Sequence, residues 1–132
     1  MLNVSKSFAK EMIAHAREED PKECCGVLAG SKGEFLKLFR MTNVDASPYR
    51  FSWDPKELFQ VWNEMEDNNW EHRAVYHSHT HSAAYPSDTD IRLAGWPEAH
   101  YIIVSLEDKE NPIMRAFRIV DGDVSEEDLA LV

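Results

Sequence analysis

Apolar and polar positions follow two rhythms along this chain, and each change of rhythm marks an element. Phe8, Met12, Ile13 and Ala16 share one helical stripe behind a Ser5 cap, and Asp20-Pro21 stops it, so the spacing predicts a helix over 6–19. "CCGVLAGSKGEFLKLFRM" then reads as two apolar runs around a Gly/Ser/Lys turn, a hairpin of 24–30 and 34–42. After "NVDASP", the stretch "YRFSW" reads as a short strand or an extended link. Asp54 as N-cap, Pro55 as first helical residue, Glu57 as an acid returning to the cap, and Trp53 stapled onto Leu58 predict a second helix. Leu58, Val61, Trp62 and Met65 form its buried face, spaced i, i+3, i+4 and i+7.

"WEHRAVYHSH" has the look of a strand, and "IRLAGWP" of a short helix closed by Gly95 and Pro97. "HYIIVSLE" and "MRAFRIVDGDV" are two further strands, the second turning at Asp121-Gly122. The acidic ending "SEEDLALV" reads as a solvated tail. The order α, β-hairpin, α, β, short α, β, β, without repeats or a low-complexity linker, predicts an α/β fold on a mixed sheet. A length of 132 residues sits near the commonest domain size, so a single domain over 1–132 is expected.

Composition narrows the class of partner. The formal charge is −10 with a pI near 4.9, and Lys and Arg occur without a long cluster, which argues against a surface that tracks phosphates and so against nucleic acid. The N-terminus becomes charged within six residues, and no window approaches the ~18 apolar residues of a membrane span, so a soluble, cytoplasmic protein without membrane partners is expected. Cys24 and Cys25 are the only cysteines, and neighbours are awkward to join; with no disulfide framework, a reducing compartment fits.

Candidate chemistry concentrates in "YHSHTHSAAYPSDTD", residues 76–90. Side chains alternate faces along a strand, so His77, His79 and His81 project the same way if the strand persists that far. Two imidazoles at i and i+2 can converge on one metal ion, and zinc accepts neutral imidazole nitrogens with a carboxylate oxygen while a catalytic site keeps a fourth position open. His77, His79 and a nearby Asp meet that count. The bland competitor is local: Ser87-x-x-Asp90 ahead of Ile91 and Leu93 also fits a capping box, in which the Asp90 carboxylate returns to the Ser87 N–H and both residues are merely structural. Spacing alone leaves the two open. There is no HExxH, no HxE followed by PCxxC, no GxSxG and no GxxxxGK, which argues against zincins, zinc deaminases, α/β-hydrolases and P-loop enzymes.

"HSHTHSAAYPSDTD" nevertheless resembles the H-x-H, seven residues, S-x-x-D signature of the JAMM (MPN-plus) zinc metallopeptidases. "PKECCGVLAG" looks like the bacterial form of the element that carries the family's glutamate, and "HYIIVS" and "FRIVDGDV" extend the likeness over nearly the whole chain. The compact bacterial branch is the match, including peptidases that release cysteine from the C-terminus of a small ubiquitin-like sulfur-carrier protein. The resemblance implies a curved mixed β-sheet with flanking helices, of a layout related to cytidine deaminases. It also implies Zn2+ as cofactor, with His77, His79 and Asp90 as ligands, Glu23 as general base, and Ser87 steadying the tetrahedral intermediate.

A carrier with a flexible Gly-Gly tail is the implied substrate, its extended end expected along an edge strand beside the metal. Ubiquitin-cleaving relatives carry insertions that a 132-residue chain has little room for. Two rivals stand beside this reading: a non-catalytic MPN-type scaffold, and a thiol-handling protein centred on Cys24 and Cys25, which the absence of CxxC weakens. Cys24 and Cys25 are expected as buried strand residues, His15, His72 and His100 as surface or core, and His81 outside the ligand set.

Overall fold

In the computed structural model, which describes residues 1–132, the chain opens with a short strand, β1 (Leu2–Val4), before the stripe behind Ser5 forms α1 (Lys6–Glu19). Ser5 Oγ accepts the Phe8 N–H at 3.0 Å and caps the helix as its position requires. The hairpin follows as β2 (Cys25–Ser31) and β3 (Glu34–Met41). Lys32 and Gly33 turn it with positive φ at both positions, the mirror-image turn whose twist matches a two-residue hairpin.

The second helix, α2 (Pro55–Asp67), starts under an Asp54 cap that accepts the Lys56 N–H, with Pro55 in the first turn. Glu57 does not return to that cap. Its two carboxylate oxygens take the N–H and hydroxyl of Thr42, both at 2.7 Å, because the end of β3 offers an ionised acid two donors in place of one. "YRFSW" forms no strand and touches the ladder only through an isolated Asn43–Trp53 bridge. β4 (His72–His79), α3 (Asp88–Leu93), β5 (His100–Ser105) and β6 (Ile113–Val120) follow. Here α3 begins three residues ahead of the expected apolar run, at the cap itself.

The acidic ending is not a free tail. Asp121 and Gly122 make a second turn with positive φ, and β7 (Asp123–Glu127) pairs with β6. A last strand, β8 (Leu129–Leu131), pairs in parallel with β1, and Leu129 packs against the core. The charged residues 126–128 conceal this in the sequence, and partners at the far end of the chain supply what local patterning lacks.

Six strands form one mixed sheet in the order β3-β2-β4-β5-β6-β7, parallel only between β4 and β5. On one face, Met12 and Ala16 of α1 pack on Leu28, Tyr76, Ile102 and Val104. On the other, Val61 and Met65 of α2 pack on Val27 and Ala29, while Trp96 and Ile91 cover Val75, Ile103 and Phe117. Along β4 the alternation therefore sends Tyr76 into the first core and Val75 and His77 to the second face. No helix is long and apolar enough to cross a membrane.

Tyr76 lies flat across β2 because residue 26 has no side chain: a Cβ on Gly26 would stand 2.2 Å from the tyrosine ring and 2.5 Å from the Phe39 carbonyl oxygen. The tyrosine hydroxyl meets His15 Nδ1 at 2.7 Å and ties α1 to the sheet. Gly26→Ala is therefore expected to lower the unfolding free energy by about 2 kcal/mol or more in urea denaturation, the scale of overpacking against a ring and a backbone oxygen. Gly33→Ala serves as the comparison, since only its positive φ penalises the change and nothing lies within 4 Å of the added atom.

Candidate functional site

Local pairing assembles the site from two strands and a helix cap. Cys25 pairs with His77, and the ladder extends one step further through the Ser78 N–H to the Cys24 carbonyl oxygen at 3.2 Å. Ser78 Oγ accepts the Cys24 N–H at 2.8 Å and closes the same step from its side chain. That register carries Glu23 opposite His79, where partners in an antiparallel pair share a face. Glu23 is 3% exposed and its Oε1 has no hydrogen-bond partner. Burial lifts its carboxyl to about 8, against the pull of His79 and with a further push from Asp90.

His77 and His79 end β4 on one face, with Nε2 atoms 3.2 Å apart. His79 Nδ1 lies 2.9 Å from the Ala83 carbonyl oxygen, which can only accept, so Nδ1 carries the hydrogen and neutral His79 turns its Nε2 lone pair into the site. The His77 ring stacks on Phe51 at 4.8 Å, and its buried Nδ1 has no partner. Asp90 Oδ2 completes the group at 3.1 Å from His77 Nε2 and 2.9 Å from His79 Nε2.

The choice between cap and ligand dissolves here. Ser87 Oγ accepts the Asp90 N–H at 3.0 Å and Asp90 Oδ2 accepts the Ser87 N–H at 3.0 Å, a complete capping box at the start of α3. The oxygen that closes the box is the one that meets both imidazoles. Burial by itself would raise the Asp90 carboxyl, but His77, His79 and the Ser87 N–H together hold it far below the ordinary range. Burial opposes charge on His79 as well, and its contacts to Asp90 and to the Ala83 carbonyl outweigh that and raise it.

These three atoms pass a test for zinc. Ligands ~2.0–2.1 Å from a tetrahedral ion lie ~3.3 Å from one another, and the observed separations are 3.2, 3.1 and 2.9 Å. The cluster His77, His79 and Asp90 supplies three donors and so leaves a tetrahedral ion one further position.

His81 departs from the row because β4 ends at His79; it is exposed and meets its neighbour Thr80 Oγ1 at 2.7 Å. His15 is buried against Tyr76, while His72 and His100 lie half-buried, His72 stacked on Phe35 and His100 paired with Glu127. Cys24 and Cys25 are buried free thiols; desolvation pushes Cys24 up to about 12 and raises Cys25 as well, which suits packing and not thiolate chemistry. β2 and β4 are interior strands paired on both sides, and the free edges of the sheet are β3 and β7. The 50–53 segment stands against His77 through the Phe51 ring and lines the same cavity as His77.

Asn43 escaped the sequence reading altogether. Its amide nitrogen donates to the Glu23 and Arg50 carbonyl oxygens, both at 3.0 Å, and its oxygen accepts the Asp45 and Ser52 N–H groups. One amide with all four of its bonds made thus ties Glu23 to the loop that carries Phe51. The signal was available: an Asn opening a turn-rich stretch such as "NVDASP" favours side-chain bonds to nearby backbone.

Comparison with known proteins identifies the family. Residues 5–120 match the family described as prokaryotic homologs of the JAB domain. The chain belongs to that family, the prokaryotic side of the JAMM (MPN-plus) group. Among its relatives, the CysO-cysteine peptidase of Mycobacterium tuberculosis is 42% identical over 100% of this chain and 92% of its own length. The desampylase of Haloferax volcanii is 32% identical over 79% of this chain and 80% of its own. A solution structure of a Desulfitobacterium hafniense protein superposes with a TM-score of 0.85 at 35% identity, covering 100% of this chain and 93% of that one.

Glu23 makes the metal-free protein sensitive to pH. A carboxyl held at about 8 keeps its proton in the folded state after the unfolded chain, titrating near 4.5, has lost it, so the folded state binds more protons between those values. Its contribution is fully present below pH 4.5 and is lost as pH rises through 8. In protein stripped with a chelator, Glu23→Gln is expected to remove a few kcal/mol of the fall in unfolding free energy between pH 5 and pH 9, at ~1.4 kcal/mol per pH unit. Urea denaturation of both proteins at the two pH values measures it; equal slopes would show that Glu23 titrates normally.

Proposed function

We propose that this chain is a zinc-dependent peptidase that hydrolyses the amide after the C-terminal glycine of a ubiquitin-like sulfur-carrier protein, releasing cysteine or a similar small adduct. Residues 1–132 serve as one metallopeptidase domain, and the two unpaired thiols fit a cytoplasmic setting. The observation that carries the reading is the meeting of Asp90 Oδ2 with both imidazole Nε2 atoms beside a buried, unpartnered Glu23 carboxylate oxygen. The relative's name, CysO-cysteine peptidase, supports the substrate class, at full coverage of this chain.

His77, His79 and Asp90 would hold the zinc. Held there, the ion is a Lewis acid that acidifies water and polarises a carbonyl oxygen. Glu23 takes a proton from the attacking water, whose oxygen bonds to the glycine carbonyl carbon, and then delivers that proton to the departing amine as the C–N bond breaks. Its exclusion from solvent keeps the transferred proton within the site. Ser87 Oγ already accepts the Asp90 N–H, so its hydroxyl hydrogen is free to donate to the oxygen on which negative charge develops. Ala83 and Phe51 orient the two imidazoles.

Protein purified without chelator is expected to hold about one zinc per chain by elemental analysis, and to lose cleavage of carrier–cysteine adducts when the metal is stripped. Glu23→Ala keeps the metal and loses turnover by ~10²- to 10⁴-fold. Ser87→Ala lowers kcat by ~10- to 10³-fold with a smaller effect on KM. Full activity in Glu23→Ala would remove Glu23 from the mechanism, and no zinc together with no cleavage would return the non-catalytic scaffold.

A further inference from the structure

His79 and Asp90 reach the metal site from the two ends of one short connector. Residues 80–87 of that connector run without helix or strand, so no ladder fixes their course. Ser82 and Ala83 are exposed, and water competes for their carbonyl oxygens. Yet the Ala83 oxygen has to stay in place, because it accepts the His79 Nδ1–H and thereby turns the Nε2 lone pair into the site.

Beyond Ala83 the anchorage of the connector is mostly apolar. Ala84 is buried in the cluster of Val75, Ile103 and Phe117, and the Tyr85 ring stands edge-on to Phe117 at 5.4 Å. Between His79 and Ala83 the anchorage is polar. The Leu106 N–H donates to the His79 carbonyl oxygen at 2.8 Å, and Ser105 Oγ donates to the Ser82 carbonyl oxygen at 2.6 Å. Ser105 is 3% exposed and lies on β5 directly across the parallel ladder from His79, so the two side chains share a face. Its oxygen also accepts the Glu107 N–H at 3.2 Å, which commits the hydroxyl in both directions.

Resting on zinc as the metal of the proposed function, we infer that Ser105 is a positioning residue of the metal centre: by holding the Ser82 carbonyl, it keeps the adjoining Ala83 carbonyl against His79 Nδ1 and so sets the affinity for the ion. A buried strand residue is a fixed post, and the exposed connector is the part that can move. Without the hydroxyl, the Ser82 oxygen turns to water and the next peptide is free to swing. His79 then loses the acceptor that fixes its ring and its tautomer. Asp90 is spared, since its capping box with Ser87 closes within α3. The ligand atoms all remain; their alignment before the ion arrives is what is lost.

The test compares the full-length wild type with Ser105→Ala, Ser105→Thr and Phe35→Leu. Phe35 stacks on His72, at the end of β4 opposite His79, so its variant loses packing away from the site. Each protein is stripped, shown to be folded by urea denaturation, and titrated with zinc alone against a competing chelator to give Kd. Loss of an outer partner costs a metal-binding histidine about 10- to 100-fold in affinity, and Ser105 acts one bond further out, so Kd is expected to rise about tenfold in Ser105→Ala. Ser105→Thr keeps the hydroxyl and is expected to retain the wild-type affinity. Phe35→Leu is expected to unfold at lower urea and still bind zinc as the wild type does. In the zinc-loaded proteins, NMR follows the His79 Nδ1 proton, whose exchange with water is expected to be slow in the wild type and Ser105→Thr and fast in Ser105→Ala. Equal Kd in the wild type and Ser105→Ala overturns the role of Ser105. An equal weakening in Phe35→Leu or in Ser105→Thr overturns it too, since either traces the effect to packing. Tight zinc binding with no cleavage of any carrier adduct defeats the proposed function and leaves Ser105 in its role; a wild type that binds no zinc defeats both.

Discussion

One carboxylate oxygen, Asp90 Oδ2, holds the site together. It accepts the Ser87 N–H in a capping box and stands within 3.1 Å of two imidazole nitrogens. A helix start needs an acceptor for its free N–H groups, and a dication needs a fixed anion; here one atom answers both needs. The consequence is rigidity. A capped first turn allows the carboxylate little freedom, so α3, only Asp88–Leu93, acts as a bracket that presents an oxygen to the end of β4. The apparent conflict between a structural and a functional Asp90 came from treating a carboxylate oxygen as if it had a single lone pair.

The second requirement is register. Glu23 reaches the histidines because β2 and β4 pair antiparallel with Cys25 opposite His77, and a slip of one residue would send it to the other face. Gly26 makes room for Tyr76 at the next pair, and Ser78 bonds the Cys24 N–H from the other side. These side chains have no part in the chemistry, yet they determine where the carboxylate stands. Asn43 finishes the placement by joining the Glu23 carbonyl oxygen to the loop that presents Phe51 to His77.

What could be read from the chain follows the range of each interaction. α1, the first hairpin, α2 and the Asp121-Gly122 turn declare themselves through caps, stripes and turn residues within a few positions. His77, His79, Ser87 and Asp90 lie within one short stretch, and their spacing exposes them as a set. Glu23 lies more than fifty residues away in sequence and meets His79 only through strand pairing, so no local pattern distinguishes it from the other acids; family resemblance alone picked it out. β8 was lost for the same reason, since its partner β1 is at the opposite end of the chain. Glu57 failed differently: the pattern saw its acid but not the two donors of Thr42 that compete for it.

Among the polar atoms that folding leaves unpaired, the Glu23 oxygen is the one that bears on the chemistry. Leaving a buried polar atom without a partner costs about 1–3 kcal/mol, so such atoms are rare where nothing else is served. Of the six buried side-chain atoms without a partner, three belong to residues of the site or of the cavity wall beside it, Glu23, His77 and Trp53, and three lie elsewhere, on Asp20, His72 and Arg118. The amide of Asn43, which makes all four of its bonds, stands in contrast beside Glu23. At Glu23 the cost falls beside the convergent imidazoles, where the proposed reaction needs a carboxylate oxygen with a free lone pair.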